Sequence, residues 1–276
     1  MRSYRELRKL LEDAAARGLR RVALLPVGCT EQHGPVLPLE TDSVLASGLA
    51  RDLAARLPAA HAFPVLAYTT TEPNTAFCGT VSMPAEAFRS SLRQVCQGIL
   101  AHPFDALVVL NAHGSIEPSL REVAFGLVME QFRSGTRPVR PVLVVNAFDF
   151  DARLEAEFGQ KPGRHADWRE FLLVYRELGD GWLTPERRET LERFAAEHDF
   201  RHPGLPTVLG VPMELRSVDG VQGEPWPRVG EGLAEQAERL WQALLGWLEE
   251  RLVRSLDDFD RDYARREAGL PPEPRS

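Results

Sequence analysis

The 276-residue chain is long enough for a large buried core, and 43% of its residues are hydrophobic, as expected of a chain that folds on its own. Its 33 basic and 40 acidic residues give a formal net charge of −7, which argues against a general nucleic-acid or anionic-membrane surface and for a small-molecule or peptide partner. Three widely spaced cysteines, Cys29, Cys78 and Cys96, form no CxxC pair, a usage that fits a reducing compartment and predicts a cytoplasmic protein.

The N-terminal stretch from Met1 to Glu6 is charged and amphipathic, unlike a secretory signal. No window reaches the roughly 18 uninterrupted apolar residues of a membrane span. Leu7, Leu10, Leu11 and Ala14 recur at helical spacing, Gly18 follows as a stop, and Val22 to Val27 reads as a buried strand bounded by Gly28. The alternation then repeats, with a helix from about Ser43 to Leu57, a strand near Phe63 to Tyr68 and a helix from about Pro84 to Ala101. A strand from Ala106 to Leu110, a helix from about Glu117 to Phe132 and a strand from Val142 to Val145 continue it. Continuous apolar strands between helices predict a three-layer α/β/α sandwich with a mainly parallel central sheet.

After Ala147 the pattern is less regular: a helix around His165 to Arg176, a charged helix over Pro185 to Glu197, and a proline- and glycine-rich passage from Pro203 to Pro227. Leu233, Ala237, Leu240, Trp241, Leu244, Leu248 and Leu252 then form the apolar stripe of a long amphipathic helix. No second core is visible, so residues 1–269 are expected to be a single domain and residues 270–276 a disordered tail.

In a doubly wound parallel sheet, ligands collect at the carboxyl ends of the strands. The segment after Val27 carries Glu31 and His33, two apart and on one side of an extended chain, and the glycine and prolines that follow can fold Asp42 back toward them. The segment after Leu110 places His113 between small residues at the end of a rigid strand. Carboxylates and imidazoles together suit Zn²⁺, Mn²⁺ or Fe²⁺. Each residue taken alone has a plainer reading: Asp42 as the N-cap of the following helix, Glu31 as a solvated loop residue, either histidine as a hydrogen-bonded one.

The string from Gly28 to Asp42, Gly-Cys-Thr-Glu-Gln-His-Gly-Pro-Val-Leu-Pro-Leu-Glu-Thr-Asp, closely resembles the signature Gly-x-x-Glu-x-His-Gly-x-His-Leu-Pro-Leu-x-Thr-Asp of the creatininase family. Asn111 to Ile116 is similar to that family's Asn-Gly-His-Gly-Gly-Asn, Phe77 to Thr80 to its Phe-x-Gly-Thr, and Gly220 to Pro225 to its Gly-Val-x-Gly-Asp-Pro. The resemblance implies a creatininase-like fold and a two-metal amidohydrolase. Its ligands would be Glu31, His33, Asp42 as the bridging carboxylate, and His113. His165 to Phe171 looks like the family's His-Ala-Gly-Glu-x-Glu-Thr, implying His165 as the proton-transfer residue and Glu170 as a ligand of the second metal. The family also implies a homo-oligomer, typically a hexamer.

Several positions depart from the family pattern. Val36 and Ile116 replace a histidine and an asparagine, Ser115 stands where creatininase itself has a metal-binding glutamate, and Asp167-Trp168 replaces Gly-Glu. Creatinine is therefore not the expected substrate, and Glu72, Ser115 and Trp168 are candidates for substrate contact. The expected activity is metal-assisted hydrolysis of an amide, formamide or cyclic amide bond, with His165 as proton donor and acceptor. The alternatives are a peptidase trimming a modified peptide, or a binding or scaffold protein whose catalysis has eroded.

Overall fold

The structure, a computed structural model, describes residues 2–159, 163, 165–197, 217, 219–222 and 232–271. Along the chain run α1 (Tyr4–Ala16), β1 (Val22–Val27), α2 (Thr41–Arg56), β2 (Ala60–Ala62), α3 (Ala85–Leu100), β3 (Ala106–Asn111), α4 (Glu117–Arg133), β4 (Val142–Asn146), α5 (Asp151–Phe158), α6 (Trp168–Leu178), α7 (Pro185–Glu197) and α8 (Leu233–Glu267). The strands form one sheet in the order β2-β1-β3-β4, with every neighbouring pair parallel.

All residues of β1 and β3 are buried, and their side chains alternate between two cores. Val22, Leu24, Val108 and Leu110 face a core built with α2, α6 and α8, which contribute Leu45, Leu49, Phe171, Trp241 and Leu244. Ala23, Leu25, Leu107 and Val109 face the opposite core, closed by Leu92 of α3, Leu120 of α4 and Leu11 of α1. This period-2 division explains why the strands read as unbroken apolar runs: each is covered on both faces. The α/β sandwich expected from the sequence is the fold observed.

The chain runs from β1 to β2 at one edge and then crosses to β3 on the other side of β1. The connections leaving β1 and β3 therefore diverge, opening a crevice at the carboxyl edge of the sheet. Val27 pairs with Asn111, so the two segments rich in ligand-type residues leave the sheet side by side.

Three boundaries differ from expectation. The paired strand is Ala60–Ala62 rather than a run near Phe63 to Tyr68. Pro64 carries no N–H to donate to the ladder, and pairing resumes only at Leu66, which donates to the Pro26 carbonyl and accepts from Gly28, both at 3.0 Å. α6 begins at Trp168, capped by the Asp167 side chain, so His165 and Ala166 precede the helix. α5 has no counterpart in the sequence reading. Most of the passage from 203 to 227 and residues 272–276 of the tail lie outside the described residues. No helix among the described residues is long and apolar enough to cross a membrane.

Candidate active site

The loop after β1 turns back on itself because the Glu31 N–H donates to the Leu39 carbonyl at 2.9 Å. It then enters α2 at Thr41, bringing Asp42 into the first helical turn. Gly28 makes the close approach possible: a Cβ there would sit 2.5 Å from the Ser43 backbone nitrogen, a contact only glycine avoids. Asp42 is not the helix cap. The cap position is Glu40, whose side chain makes no capping bond, while Asp42 points into the crevice.

The structure brings together Glu31, His33, Asp42, His113, His165 and Glu170. The first four and Glu170 are 1, 1, 2, 3 and 2% exposed. Asp42 lies at the centre, with Oδ1 3.1 Å from His33 Nε2 and Oδ2 3.0 Å from His113 Nδ1. Glu170 Oε2 is 3.8 Å from His33 Nε2, and Glu31 Oε1 is 3.3 Å from His113 Nδ1 and 3.7 Å from His165 Nδ1.

Each imidazole is aimed by a backbone carbonyl. His33 Nδ1 donates to the Glu31 carbonyl at 3.1 Å, His113 Nε2 to that of Thr70 at 3.1 Å, and His165 Nε2 to that of Gln32 at 2.8 Å. A carbonyl can only accept, so those nitrogens carry hydrogen, and in the neutral rings the opposite nitrogens present lone pairs to the cluster.

The carboxylates are anchored in the same way. Thr71 Oγ1 and Asn74 Nδ2, the latter at 2.7 Å, donate to Glu31 Oε2, leaving Oε1 to face the histidines. The Ala166 N–H donates to Glu170 Oε2 at 2.7 Å. Ala166 has φ 54, a left-handed conformation that costs a non-glycine residue about 1–3 kcal/mol and is held in place by its surroundings. His165 exchanges two backbone hydrogen bonds with Gln222, at 3.1 and 2.8 Å, which draws residues 220–222 against the site. At Gly220, φ 74, a Cβ would fall 2.0 Å from Gln32 Oε1, and the Gly220 carbonyl accepts from Gln32 Nε2 at 3.2 Å.

Charge is concentrated here. Burial alone would push the His33 imidazole down, but Asp42, then Glu170 and Glu31, hold it up at about 10. His113 is likewise held well above the usual range by Glu31 and Asp42 against the effect of burial. Burial would raise Glu31 and Asp42, yet the adjacent histidines keep both below the ordinary carboxylate range. Burial, and then His33, push His165 down. Burial pushes Glu170 up to about 7 despite His33 and Arg169.

These residues offer the donors a divalent cation needs. Asp42 Oδ2 is buried without a hydrogen-bond partner. Glu31, His33 and His165 form one group with ligand atoms within 4.8 Å of one another, and His33, Asp42 and Glu170 form another. Mixed imidazole and carboxylate donors suit zinc, manganese or iron.

The three expected substrate contacts fare differently. Ser115 is exposed and lines a cavity of about 430 Å³ that opens onto Glu31, Asp42, His113, His165 and Glu170. Trp168 does not line it; it is 2% exposed and packs in the core, because α6 turns that face toward α2 and α8. Glu72 is exposed and outside the lining, whereas its neighbours Pro73 and Asn74 reach the cavity. Val36 and Ile116 are core residues, one in each apolar cluster. The sequence reading missed Thr71, Asn74 and Gln32, which hold Glu31 and the His165 loop. The turn-rich run Thr71-Glu72-Pro73-Asn74 signals the first two, and Gln32 stands between Glu31 and His33 in the string from Gly28 to Asp42.

The family model described as "Creatininase: Creatinine amidohydrolase" matches residues 9–252. A relative named mycofactocin precursor peptide peptidase, from Mycobacterium ulcerans, is 37% identical over 106 residues, 36% of this chain and 42% of its own length. The matched part thus spans less than half of that relative. A solved structure titled "Creatininase Mn" has a TM-score of 0.72 at 20% identity over 90% of this chain and 95% of its own. A zinc–zinc form of a creatininase variant has a TM-score of 0.69 at 19% identity over 90% and 95%. At these identities the structural likeness concerns the fold.

Proposed function

The chain belongs to the creatininase family, and from that premise we propose that it is a divalent-metal-dependent hydrolase of C–N bonds acting on a modified peptide. One observation carries the reading: the two oxygens of the buried Asp42 lie 3.1 and 3.0 Å from ring nitrogens of His33 and His113, so that one carboxylate stands between two imidazoles as a ligand shared by two cations would. Glu31 and His113 would complete one position, His33 and Glu170 the other. Bound cations would lower the pKa of coordinated water toward about 7 and polarise the scissile carbonyl. The solved relatives whose titles name manganese and zinc support either metal.

The chain's own residues supply orientation and proton transfer. His165 is kept neutral by burial and by His33, and its Nδ1 is turned toward the cluster, so it can take a proton and return it to the departing nitrogen. Gln32 fixes that ring by accepting from its Nε2. Arg169 lines the cavity but is matched by Asp151, Asp167 and Glu170, so it orders the wall instead of receiving an anion. The peptide assignment draws on the name of the Mycobacterium ulcerans relative. The cavity of about 430 Å³ has the size of a small-ligand site, enough for the few residues around a scissile bond.

We further assign residues 1–269 to one domain and expect a cytoplasmic homo-oligomer, a hexamer in the family's usual form. Cys29, Cys78 and Cys96 are free, in keeping with a reducing compartment. The eroded-scaffold alternative loses its main support, because Val36 and Ile116 pack in the cores and their lost polarity lies outside the cavity.

Elemental analysis of protein purified without added metal tests the reading. Between one and two equivalents of zinc, manganese or iron are expected, lost in Asp42→Ala with the fold retained by circular dichroism. Absence of metal, with none taken up on addition, would overturn it.

A further inference from the structure

We propose that Cys29 is a sulfur ligand of the cation position formed by Glu31 and His113. The inference rests on the metal-dependent reading above and adds a donor of a different chemical kind. The Cys29 sulfur, a Glu31 carboxylate oxygen and a His113 ring nitrogen lie within 4.8 Å of one another, and all three residues are buried. A fourth donor converges on the same histidine: Asp42 Oδ2, buried and without a hydrogen-bond partner, is 3.0 Å from His113 Nδ1. A carboxylate, an imidazole and a sulfur thus lie within ligand distance of one another, and Asp42 reaches the same imidazole.

The backbone holds Cys29 in place. Ser43 Oγ donates to the Cys29 carbonyl at 3.0 Å, and Gly28 packs directly against the backbone of Ser43. The sulfur is therefore positioned by the first turn of α2, the same turn that carries Asp42, and a rigid support of this kind suits a ligand. The other two cysteines are placed differently. Cys96, on α3, packs in the apolar core and Cys78 is exposed, and neither joins a ligand group among the described residues.

A sulfur donor has consequences that nitrogen and oxygen donors lack. On coordination the thiol gives its proton to solvent and binds as thiolate. Thiolate is a soft ligand, and its presence shifts a mixed imidazole and carboxylate site toward zinc and away from manganese. This chain is then a zinc-selective variant of its site, set by one residue in the loop after β1.

The test loads cobalt(II) into the full-length protein and into C29S and C29A, recording bound metal and the absorption spectrum together. A cobalt–sulfur bond gives an intense near-ultraviolet charge-transfer band that nitrogen and oxygen ligands do not. The expected result is a band in the parent protein that disappears in both variants, with cobalt still bound and its weaker visible bands present. Cobalt bound to the parent protein without the band, or a band surviving in both variants, overturns the Cys29 assignment and leaves the metal reading standing. Failure of the parent protein to bind cobalt overturns both. In a zinc–manganese competition the preference for zinc is expected to fall by about tenfold or more in C29S; an unchanged preference overturns the selectivity.

Discussion

Removing the Asn74 amide asks whether the residues behind Glu31 set the affinity of one cation position and not the other. Asn74 Nδ2 donates to Glu31 Oε2 at 2.7 Å, and Asn74 Oδ1 accepts from Gln32 Nε2 at 2.9 Å. Glu170 is anchored separately, by the Ala166 N–H. A hydrogen bond to a charged group contributes about 1.5–3 kcal/mol. In Asn74→Ala the Thr71 hydroxyl still donates to the same carboxylate oxygen, which puts the loss near the low end, about 1.5 kcal/mol. Since about 1.4 kcal/mol corresponds to tenfold in affinity, one zinc affinity should weaken by about tenfold, within the range for groups that support a metal ligand. The affinity of the position held by His33, Asp42 and Glu170 should not change. Zinc titration against a chromophoric chelator resolves two binding steps, with circular dichroism as the check on folding. A parallel fall in both affinities, or no change in either, refutes the reasoning.

His165→Ala is expected to lower turnover by about 10²–10⁴-fold while leaving metal content as in the parent protein; unchanged turnover removes His165 from the mechanism. Gly28→Ala forces a Cβ to 2.5 Å from the Ser43 nitrogen, and because backbone must move, a loss of about 1–3 kcal/mol in denaturant unfolding is expected; parent-like stability would show that the loop is not clamped to α2. The pH dependence of zinc binding follows from His33, held up at about 10. Below that pH the ring carries a proton that a cation must displace. Apparent affinity should therefore rise as pH rises toward about 10, with protons released on binding near neutrality. Calorimetry in buffers of different ionisation enthalpy measures that release, and a buffer-independent heat would contradict it.

The strands that carry the site were legible because they are doubly covered. β1 and β3 bury every residue, so their sequences are unbroken apolar runs that needed no tertiary information to find. β2 was displaced because Ala60-His61-Ala62 has no such run, while the more apolar stretch after it contains Pro64 and cannot sustain a ladder. Glu31, His33, Asp42 and His113 stood out as charged or imidazole groups at strand ends, where plain packing would not put them. Thr71, Asn74 and Gln32 did not, since neutral polar residues in a turn look alike whether they face water or a buried carboxylate. Trp168 was misjudged for the opposite reason. Its identity marked a departure from the family pattern, but only the packing of α6 against α2 and α8 shows that it faces the core.

The charge balance of the site bears on what it holds. Glu31, Asp42 and Glu170 are buried in one cluster, and an uncompensated buried carboxylate costs several kcal/mol. Without a cation, His33 and His113 respond by holding protons well beyond the usual imidazole range, which keeps Glu31 and Asp42 ionised. That compensation runs out at Glu170, which burial pushes up to about 7 because Arg169 is shared with Asp151 and Asp167. Glu170 is thus the carboxylate of the cluster least compensated by its neighbours. Replacing buried charges by apolar residues is often neutral or stabilising, so a scaffold with no use for the site would have had a ready route to lose it. Three carboxylates arranged around two inward-facing imidazole nitrogens are the donor set that the proposed divalent cations would balance.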